Sequence, residues 1–517
     1  MGHDPADVAR RRARAHQGGG QGRVDAQHAR GKLTARERLT RLLDEGTFQE
    51  VQTYLTHRFA DFGMADRRFE GDSVVAGFGK IGGRMTAVYA QDFTVVGGTF
   101  SEAQAQKICQ VMELAMESGV PVVGLNDSGG ARIQEGVYSL AGYGDLFWQN
   151  TQASGVIPQI SVMLGSCAGG SVYSPALTDF VIMTRGLSHM FITGPEVIRT
   201  VTREEVDLEG LGGAQVHSAR SGVAHFVGGD EAESLRLVQR LLSYLPSNNA
   251  EPPPTIEPTD DPWRMDADLN TIVPTDPAQA YDMREVIRRV FDLESFLEVH
   301  QDFARNALVG FARLHGAPVG VVAQQTQVLA GVIDIDAADK MARFIRFCDA
   351  FNLPIVTLVD SPGFMPGVAQ EHGGIIRHGA KIVYAYSEAT VPLLTLVLRK
   401  AYGGAYIVMA SKHIRADLTF AWPTAEIAVM GVEGAVQIVH GRDLVSIDDP
   451  EERDRQMRAY YGQFREKFND PYVVARSGHV DDVLVPSETR PRLIGALELL
   501  RTKRARRPSR KHGNMPL

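Results

Sequence analysis

Cysteine is scarce in this chain of 517 residues, which holds only Cys109, Cys167 and Cys348. No two of them form a CxxC pair, so their spacing excludes a zinc ribbon and a disulfide framework. So few and so widely separated thiols are typical of a protein from a reducing compartment. We therefore expect no metal in this chain.

Long apolar runs are missing as well. The longest candidates, such as Val391–Leu398, are far shorter than the ~20 residues that a membrane helix needs. The first residues lack the apolar core of a secretory signal, and Asp4 and Asp7 are unusual in a transit peptide. These absences predict a cytoplasmic protein with no membrane partner.

The common catalytic signatures are also absent, namely the GxSxG, HExxH and Walker motifs. His372 and His378 could bind a ligand or move protons, but structural or surface roles suit them better. The formal charge of −8 argues weakly against nucleic acid as a partner. These absences favour a reaction that depends on backbone amides, with the base carried by a cofactor.

An internal repeat is the strongest positive feature of the sequence. Gly77-Phe78 recurs as Gly310-Phe311, an interval of 233 residues. After one extra residue, Gly169-Gly170 recurs as Gly403-Gly404. A register held this long predicts two domains of one fold. Further pairs in register are Ala90-Gln91 and Ala323-Gln324, Gly98 and Gly331, Ala105 and Ala338, Lys107 and Lys340, and Asp127-Ser128 and Asp360-Ser361.

Proline marks the boundary between the two copies, with eight prolines from Pro246 to Pro277. We therefore predict a mobile N-terminal segment at 1–30, a first domain at 31–250, a linker at 251–280 and a second domain at 281–517. The capping-box spacing of Thr34 and Glu37 predicts a helix that begins near Thr34.

Within each copy, short apolar strands alternate with helices. This alternation predicts βαβ units, a largely parallel buried sheet and an α/β fold. In the first copy the expected strands are Val74–Phe78, Met85–Ala90, Val120–Leu125 and Ile160–Leu164, with a helix at Ser101–Ser118. In the second they are Val319–Ala323, Ile355–Val359 and Leu393–Leu398, with a helix at Ala337–Phe351.

Each copy joins a strand to a helix through a Gly-Gly turn. Such a turn exposes the unpaired N–H groups of the next helix, which favour an anion or a developing oxyanion. Gly169-Gly170 and Gly403-Gly404-Ala405 are therefore candidate oxyanion holes. The alternative is a close crossing of helix and strand that merely excludes side chains.

The two Asp-Ser turns have diverged. In the first copy Gly129-Gly130-Ala131-Arg132 offers amides and a cation for an anionic ligand group. In the second copy Pro362 removes one amide donor from the loop. The divergence predicts two different ligands, unless Asp127 and Asp360 simply cap the next segment.

Several long motifs together resemble one family, the β subunits of biotin-dependent acyl-CoA carboxylases. These subunits are the carboxyltransferase component, and the chain is most similar to propionyl-CoA and acetyl-CoA carboxylase β chains. The resemblance extends from about Gly31 to the end. It rests on Asn126–Gly136, Gly165–Pro175, Met190–Pro195, Lys400–Tyr406, Ala421–Glu426, Ile427–Gly431 and Lys511–Leu517.

The resemblance implies two tandem crotonase-like (ClpP/crotonase) domains, each a repeated ββα superhelix. It implies a homo-hexamer, a trimer of dimers in which the first domain of one chain faces the second domain of another. It also implies an α subunit that carries the biotin carboxylase and biotin carrier domains. Because this chain lacks an Ala-Met-Lys-Met site, biotin is expected on that separate carrier, with a coenzyme A thioester as substrate.

The implied reaction begins with release of CO2 from carboxybiotin; the biotin enolate then takes the α-proton of the thioester, whose enolate attacks CO2. By analogy, Gly169 and Gly170 hold the thioester oxygen, and Gly404 and Ala405 hold the ureido oxygen of biotin. The internal repeat instead pairs Gly403-Gly404 with the first turn. The resemblance further implies acyl-CoA binding by Gly129, Gly130, Ala131, Arg132 and Ile133, and a biotin side formed by Gly363, Phe364 and Tyr406.

Ile407 occupies the family position that borders the acyl pocket and is Asp in typical propionyl-CoA-specific members. The apolar side chain predicts a relaxed preference that includes acetyl-CoA and somewhat longer acyl groups. The first alternative function is a subunit of a biotin-dependent methylmalonyl-CoA decarboxylase or transcarboxylase. Remoter ones are a crotonase-type hydratase or isomerase, for which no Glu adjoins the first turn, and a non-catalytic scaffold.

Overall fold

The computed structural model describes residues 5–468, 470–505 and 507–517. The chain divides into two compact units, Met1–Pro252 and Pro253–Leu517. The dividing point lies within the proline-rich segment that the composition marks as a boundary. Which ligand each unit holds stays a prediction.

Unit 1 is built on a seven-stranded sheet with the order β1-β2-β3-β4-β5-β7-β9, while β6 and β8 pair separately. The hairpin of β2 and β3 is antiparallel, and the strands from β3 to β9 run parallel. The strands are β1 (Gln49–Glu50), β2 (Val74–Ile81), β3 (Arg84–Gln91), β4 (Val122–Asn126), β5 (Gln159–Met163), β6 (Ser166–Ala168), β7 (Phe180–Thr184), β8 (His189–Phe191) and β9 (Phe226–Gly228).

The helices of unit 1 cover its sheet, and the helix predicted near Thr34 is present. Thr34 accepts a hydrogen bond from the Glu37 amide, and the Glu37 carboxylate bonds back to the amide of Thr34, which confirms the capping box. The helices are α1 (Pro5–His16), α2 (Gln21–His28), α3 (Ala35–Leu42), α4 (Glu102–Ser118), α5 (Val137–Ala153), α6 (Gly170–Leu177), α7 (Pro195–Val201), α8 (Leu208–Gly212), α9 (Ala214–Ala219) and α10 (Glu231–Leu242).

The segment 1–30 was expected to be mobile from its polar, Gly-rich composition, and residues 1–4 of it lie outside the described residues. The remainder holds α1 and α2. The amide of Gly19 donates to Thr94 at 3.0 Å, and the buried Gln27 donates to Asp127 at 3.3 Å. Contacts between residues 71 to 100 positions apart thus tie this segment to unit 1, and composition carries no signal of them.

Unit 2 repeats the arrangement in an eight-stranded sheet with the order β10-β11-β12-β13-β14-β15-β17, with β16 paired to β14. Strands β10 to β12 are antiparallel and the later ones parallel. The strands are β10 (Leu297–Val299), β11 (Ala307–Leu314), β12 (Ala317–Gln324), β13 (Ile355–Ser361), β14 (Leu393–Tyr402), β15 (Leu418–Ala421), β16 (Glu426–Ala428) and β17 (Asp482–Val483).

The helices of unit 2 occur mainly after β12, as the repeat requires. They are α11 (Leu269–Ile272), α12 (Met283–Val290), α13 (Ile335–Ala350), α14 (Val368–Gly373), α15 (Ile375–Glu388), α16 (Gly403–Val408), α17 (Val432–Val445), α18 (Pro450–Phe468), α19 (Pro471–Arg476) and α20 (Thr489–Leu500). No helix in the described part of the chain is long and apolar enough to cross a membrane.

The sequence repeat corresponds to a structural repeat with the same register. Gly77 lies opposite Val88 in the first hairpin, and Gly310 lies opposite Val321 in the second. A Cβ on either glycine would overlap the backbone of the neighbouring edge strand, which explains why both copies keep glycine. The predicted α/β fold of two tandem crotonase-like domains is confirmed.

Each unit has its own apolar core between sheet and helices. In unit 1 the core joins the faces of β2, β3 and β4 to α4 and α5, around residues such as Tyr89 and Met112. In unit 2 it includes the fully buried Trp422, whose indole N–H donates to Thr489 at 2.9 Å. The sheets are thereby fixed, and the loops after their parallel strands carry the candidate site residues.

Candidate active site

The first Gly-Gly turn connects β6 to α6 and presents one free amide. Gly169 adopts φ +60°, which favours glycine, and its N–H donates to the carbonyls of Phe191 at 3.2 Å and Ile192 at 3.1 Å. The N–H of Gly170 meets no acceptor among the described residues. Gly169 therefore forms the turn but offers no donor, which corrects its predicted role, and Gly170 offers the donor.

An aromatic ring closes the space behind Gly170. A Cβ at this position would lie 2.8 Å from the ring of Tyr143, which stacks on Phe100 with centroids 4.0 Å apart. The Tyr143 hydroxyl and Ser171 Oγ are 2.5 Å apart. Burial raises the pKa of the nearby Cys167 thiol to about 12, so this cysteine is no nucleophile at neutral pH.

The second turn connects β14 to α16 with the same geometry. Gly403 adopts φ +55°, like Gly169, and a Cβ there would lie 2.9 Å from the Val429 carbonyl oxygen. Among the described residues, no acceptor receives the amides of Gly404 and Ala405. Gly404 is thus the structural counterpart of Gly170, and Ala405 follows with a second free donor.

The two strand-end aspartates anchor earlier parts of the chain. Asp127 accepts from Arg38 at 2.9 Å and from Lys32 at 2.7 Å. Asp360 accepts from Arg399 at 3.0 Å and from the Tyr281 hydroxyl at 2.9 Å. Burial raises the pKa of Asp360, although Arg399 acts in the opposite direction. Both carboxylates thus bind side chains from segments that precede each sheet. They do more than cap the segment that follows the strand.

Arg132 is committed to the protein interior. Its guanidinium is buried and pairs with Asp72 at 2.5 Å and Glu135 at 3.1 Å, with further donations to Ser73 and Thr99. The prediction that this side chain meets an anionic ligand group is therefore wrong. Burial raises the pKa of Asp72, but the hydrogen bonds and charge of Arg132 outweigh it and hold that pKa below its usual value.

The loop that Arg132 supports leaves one backbone amide and one apolar side chain available to a ligand. The Gly129 amide bonds to Gly97 and the Gly130 amide to Ser128, so both are used. Ala131 pairs with Phe100 in an isolated β-bridge. The Ala131 amide itself has no acceptor in the described part of the chain. The Ile133 side chain is 88% exposed. Ala131 and Ile133 are thus the loop residues that face outward.

In unit 2, the predicted biotin-side residues surround the second turn. The Phe364 ring would lie 3.6 Å from a Cβ on Gly404, and the Gly363 carbonyl accepts from Ile333 at 3.0 Å. The Tyr406 hydroxyl is buried without a hydrogen-bond partner, and burial raises its pKa to about 12. Ile407, the next residue, is 43% exposed. Residues 404–406 thus carry two free amides and one buried hydroxyl without a partner, which fits a polar ligand here.

The rings of Tyr143 and Phe100, which support the first turn, were not predicted from the sequence. An aromatic residue within a helix carries no sign of which turn it will face, so no motif could have revealed this contact. The structure also shows that Nδ1 of His378 bonds to the Asp339 carboxylate at 2.9 Å, beside Lys381. This hydrogen-bonded, largely buried arrangement agrees with the structural role favoured for His378.

The family model described as the carboxyl transferase domain matches residues 26–515, which is nearly the whole chain. The carboxyltransferase subunit of propionyl-CoA carboxylase from Haloferax mediterranei is 56% identical over 511 residues, covering 99% of this chain and 98% of the relative. Methylmalonyl-CoA decarboxylase subunit alpha from Propionigenium modestum is 51% identical, covering 99% and 98%.

A solved structure indicates the same family as these relatives. The chain superposes on transcarboxylase 12S, crystallised with methylmalonyl-coenzyme A and methylmalonic acid bound, with a TM-score of 0.96 and 49% identity. The match covers 99% of this chain and 98% of that one. The chain therefore belongs to the carboxyl transferase family, as its motifs predicted, and it is a carboxyltransferase.

Proposed function

We propose that the chain is the carboxyltransferase component of a biotin-dependent acyl-CoA carboxylase. It moves the carboxyl group from carboxybiotin to the α-carbon of a short acyl-CoA. Propionyl-CoA, acetyl-CoA or both are the substrates, and methylmalonyl-CoA or malonyl-CoA is the product. The observation that carries the proposal is the pair of equivalent turns at Gly170 and Gly404, each with a free amide. Such a transfer generates two oxyanions, and each turn offers a donor for one.

On the acyl-CoA side, Gly170 donates its amide to the thioester oxygen as that oxygen gains negative charge. One such donor contributes about 3–4 kcal/mol to a transition state. Tyr143 and the turn at Gly169 hold this amide in place. Ala131 offers a second amide and Ile133 an exposed apolar surface for other parts of the coenzyme A thioester.

On the biotin side, Gly404 and Ala405 donate to the ureido oxygen, and the Tyr406 hydroxyl offers a further donor. Phe364 lies against this turn and presents an apolar wall. Biotin, bound to a separate carrier, supplies the carboxyl group and the base when it occupies this side. The free amides and the unpaired hydroxyl fit such a group, because a ureido oxygen accepts several hydrogen bonds.

We further propose that the chain works as a homo-hexamer with an α subunit that bears the biotin carboxylase and biotin carrier domains. The hexameric transcarboxylase 12S, 49% identical, supports the assembly. The reducing compartment inferred from the three free cysteines supports a cytoplasmic location. The similarity to a methylmalonyl-CoA decarboxylase and to transcarboxylase 12S also supports the alternative function. In that alternative the chain performs the same carboxyl transfer as a subunit of a decarboxylase or a transcarboxylase.

Carboxyl exchange with the purified chain tests the proposal. The protein is incubated with malonyl-CoA or methylmalonyl-CoA and free biotin, and the release of acetyl-CoA or propionyl-CoA is followed. Biotin-dependent release supports the transfer function. Absence of exchange with both substrates would contradict it. ATP-dependent fixation of labelled bicarbonate by a complex isolated with this chain would then separate the carboxylase from the alternative.

A further inference from the structure

A serine, a histidine and a glutamate form a hydrogen-bonded chain beside the first Gly-Gly turn. Ser166 Oγ lies 3.0 Å from Nδ1 of His189, and Nε2 of His189 lies 2.7 Å from Oε1 of Glu209. A hydroxyl, a base and a carboxylate in this order are the arrangement that activates a serine nucleophile. The carboxyl transfer proposed above uses none of these three side chains.

The hydrogen bonds define the direction of proton transfer. The Glu209 carboxylate can only accept, so Nε2 of His189 carries the hydrogen and Nδ1 has a lone pair. The Ser166 hydroxyl therefore donates to Nδ1, which can take its proton. The carboxylate behind the ring would stabilise the imidazolium that forms. The His189 side chain is only 11% exposed, which fixes its orientation.

The fold builds this arrangement from three elements. Ser166 lies directly opposite His189 in the ladder of β6 and β8. Helix α8 brings Glu209 to the ring because Gly212 and Gly213 let the chain approach closely, and a Cβ on either would overlap Met190 or Glu209. Ser166 itself stays partly exposed. Ser166 is thus both hydrogen-bonded to a base and partly exposed, on the strand that leads to the Gly169 turn.

We infer that Ser166 is a base-activated nucleophile that accepts the acyl group of a thioester, giving the chain a slow acyl-CoA hydrolase activity. Ser166 Oγ forms a bond to the thioester carbonyl carbon while its proton passes to Nδ1 of His189. The C–S bond breaks, and the leaving sulfur takes that proton as a free thiol. Water then cleaves the acyl-serine ester and releases the carboxylic acid, which regenerates Ser166.

The chain contains its own matched control. Ser221 Oγ lies 2.7 Å from Nδ1 of His217, but Nε2 of His217 lies 2.8 Å from the backbone carbonyl of Met190. This pair has a hydroxyl and a base but no carboxylate behind the ring. It should therefore be much less reactive than Ser166, although it is more exposed.

A fluorophosphonate probe tests the nucleophile, because it phosphonylates activated serines without needing a coenzyme A site. The full chain is treated with the probe, and the labelled residue is identified by mass spectrometry. We expect label on Ser166, at least tenfold slower labelling after His189→Gln or Glu209→Gln, and no change after Ser221→Ala. Circular dichroism verifies folding, and the half-exposed Glu209 provides a variant that should fold even if His189→Gln does not.

Absence of label on Ser166, equal labelling rates in the Glu209→Gln variant, or preferential labelling of Ser221 would each overturn the inference. The hydrolase step rests on the proposed function, because it needs a bound thioester. It is tested by thiol release from propionyl-CoA, which Ser166→Ala should abolish; label without Ser166-dependent thiol release would refute that step. Biotin-dependent exchange in the same preparations reports the proposed function separately, so the two failures are distinguishable.

Discussion

Because Gly404 has no side chain, its backbone amide is open to a ligand, whereas a larger residue would block it. The residue is exposed, its amide is free, and an added Cβ would only touch the Phe364 ring at 3.6 Å. At Gly170, the added Cβ would instead press on Tyr143 at 2.8 Å. Side chains at the two turns thus have different consequences for stability, although both would obstruct a ligand at the amide.

We expect Gly404→Val to abolish exchange with biotin while the protein stays folded. Valine keeps the backbone N–H, but its side chain would keep the oxyanion away from it, and losing one such interaction corresponds to about 100-fold or more in rate. Exchange kinetics and thermal unfolding measure the two effects. Gly144→Ala, in the open middle of α5, is the control and should keep exchange while gaining up to about 1 kcal/mol. A Gly404→Val variant with normal exchange would refute the role of this amide.

Ile407 offers a residue-scale test of substrate choice. A carboxylate at this half-exposed position should shift the ratio of acetyl-CoA to propionyl-CoA turnover toward propionyl-CoA. A methylene is worth only about 1–3 kcal/mol in such discrimination, so we expect a change of roughly tenfold. Competition assays on Ile407→Asp measure it. Ile256→Asp, at a similar exposure of 45%, should leave the ratio unchanged, and an unchanged ratio in Ile407→Asp would contradict the hypothesis.

At the scale of elements, buried cationic side chains hold the loops that precede strands and helices. Arg132 joins the loop before β2 to the loop before α5 through Asp72 and Glu135. In unit 2 a lysine has this kind of role: Lys340 donates to four backbone carbonyls, at distances from 2.7 to 3.3 Å. The repeat keeps a lysine at the equivalent Lys107, which donates to Val74.

Arg132→Met should destabilise unit 1 by about 3–5 kcal/mol, because Asp72 and Glu135 stay buried without their partner. Urea unfolding measures the loss. The lowered pKa of Asp72 means that its stabilisation is present above the unfolded value of 3.8 and is lost as the pH falls toward the folded value. The wild type should therefore lose stability below about pH 4 more steeply than the variant. Parallel curves would contradict this account.

Lys340→Met should destabilise the loop at 300–307 by about 3 kcal/mol or more, because its carbonyls lose their N–H donor. Burial lowers the pKa of Lys340 to about 7, so above that pH the unfolded chain binds more protons. The contribution of Lys340 to stability should consequently rise with pH between about 7 and 10. Unfolding curves at two pH values test this, and the slope should be smaller in the variant. Hydrogen exchange at 300–307 should increase in the variant, and unchanged exchange would contradict the role.

At the scale of the whole molecule, exposed apolar side chains mark surfaces that a monomer would leave uncovered. Leu140 on α5 is 61% exposed, and Ile438 and Val439 on α17 are 71% and 60% exposed. Large exposed apolar patches are typical of assembly surfaces. They support the proposed hexamer, whose closed symmetry would bury equivalent patches of every chain.

Sedimentation should give about 340 kDa, six times the 56.5 kDa of one chain. Val439→Asp should shift the protein toward smaller species, because a carboxylate would have to be buried in the assembly. Analytical ultracentrifugation over a concentration range measures this shift. A monomer at all concentrations in the unmodified protein would refute the hexamer.

The sequence was enough to predict those features that depend on residues close together in the chain. The repeat, the α/β fold, the capped helix at Thr34 and the positions of both Gly-Gly turns could be read from spacing alone, because backbone geometry restricts which residues such elements accept. The family also followed from motifs that are contiguous in the chain. Contacts between distant residues decided the rest, namely which groups remain free for a ligand.

Gly169 and Arg132 show why. Both belong to motifs that offer donors, yet the Gly169 amide is used by Phe191 and Ile192, and the Arg132 guanidinium pairs with Asp72, sixty residues earlier. Likewise, Ser166 acquires its base only because β6 and β8 lie side by side. A sequence shows which groups can donate or accept, but burial and pairing across the fold determine which are still available. In this protein that difference assigns the open donors of the two Gly-Gly turns to Gly170, Gly404 and Ala405.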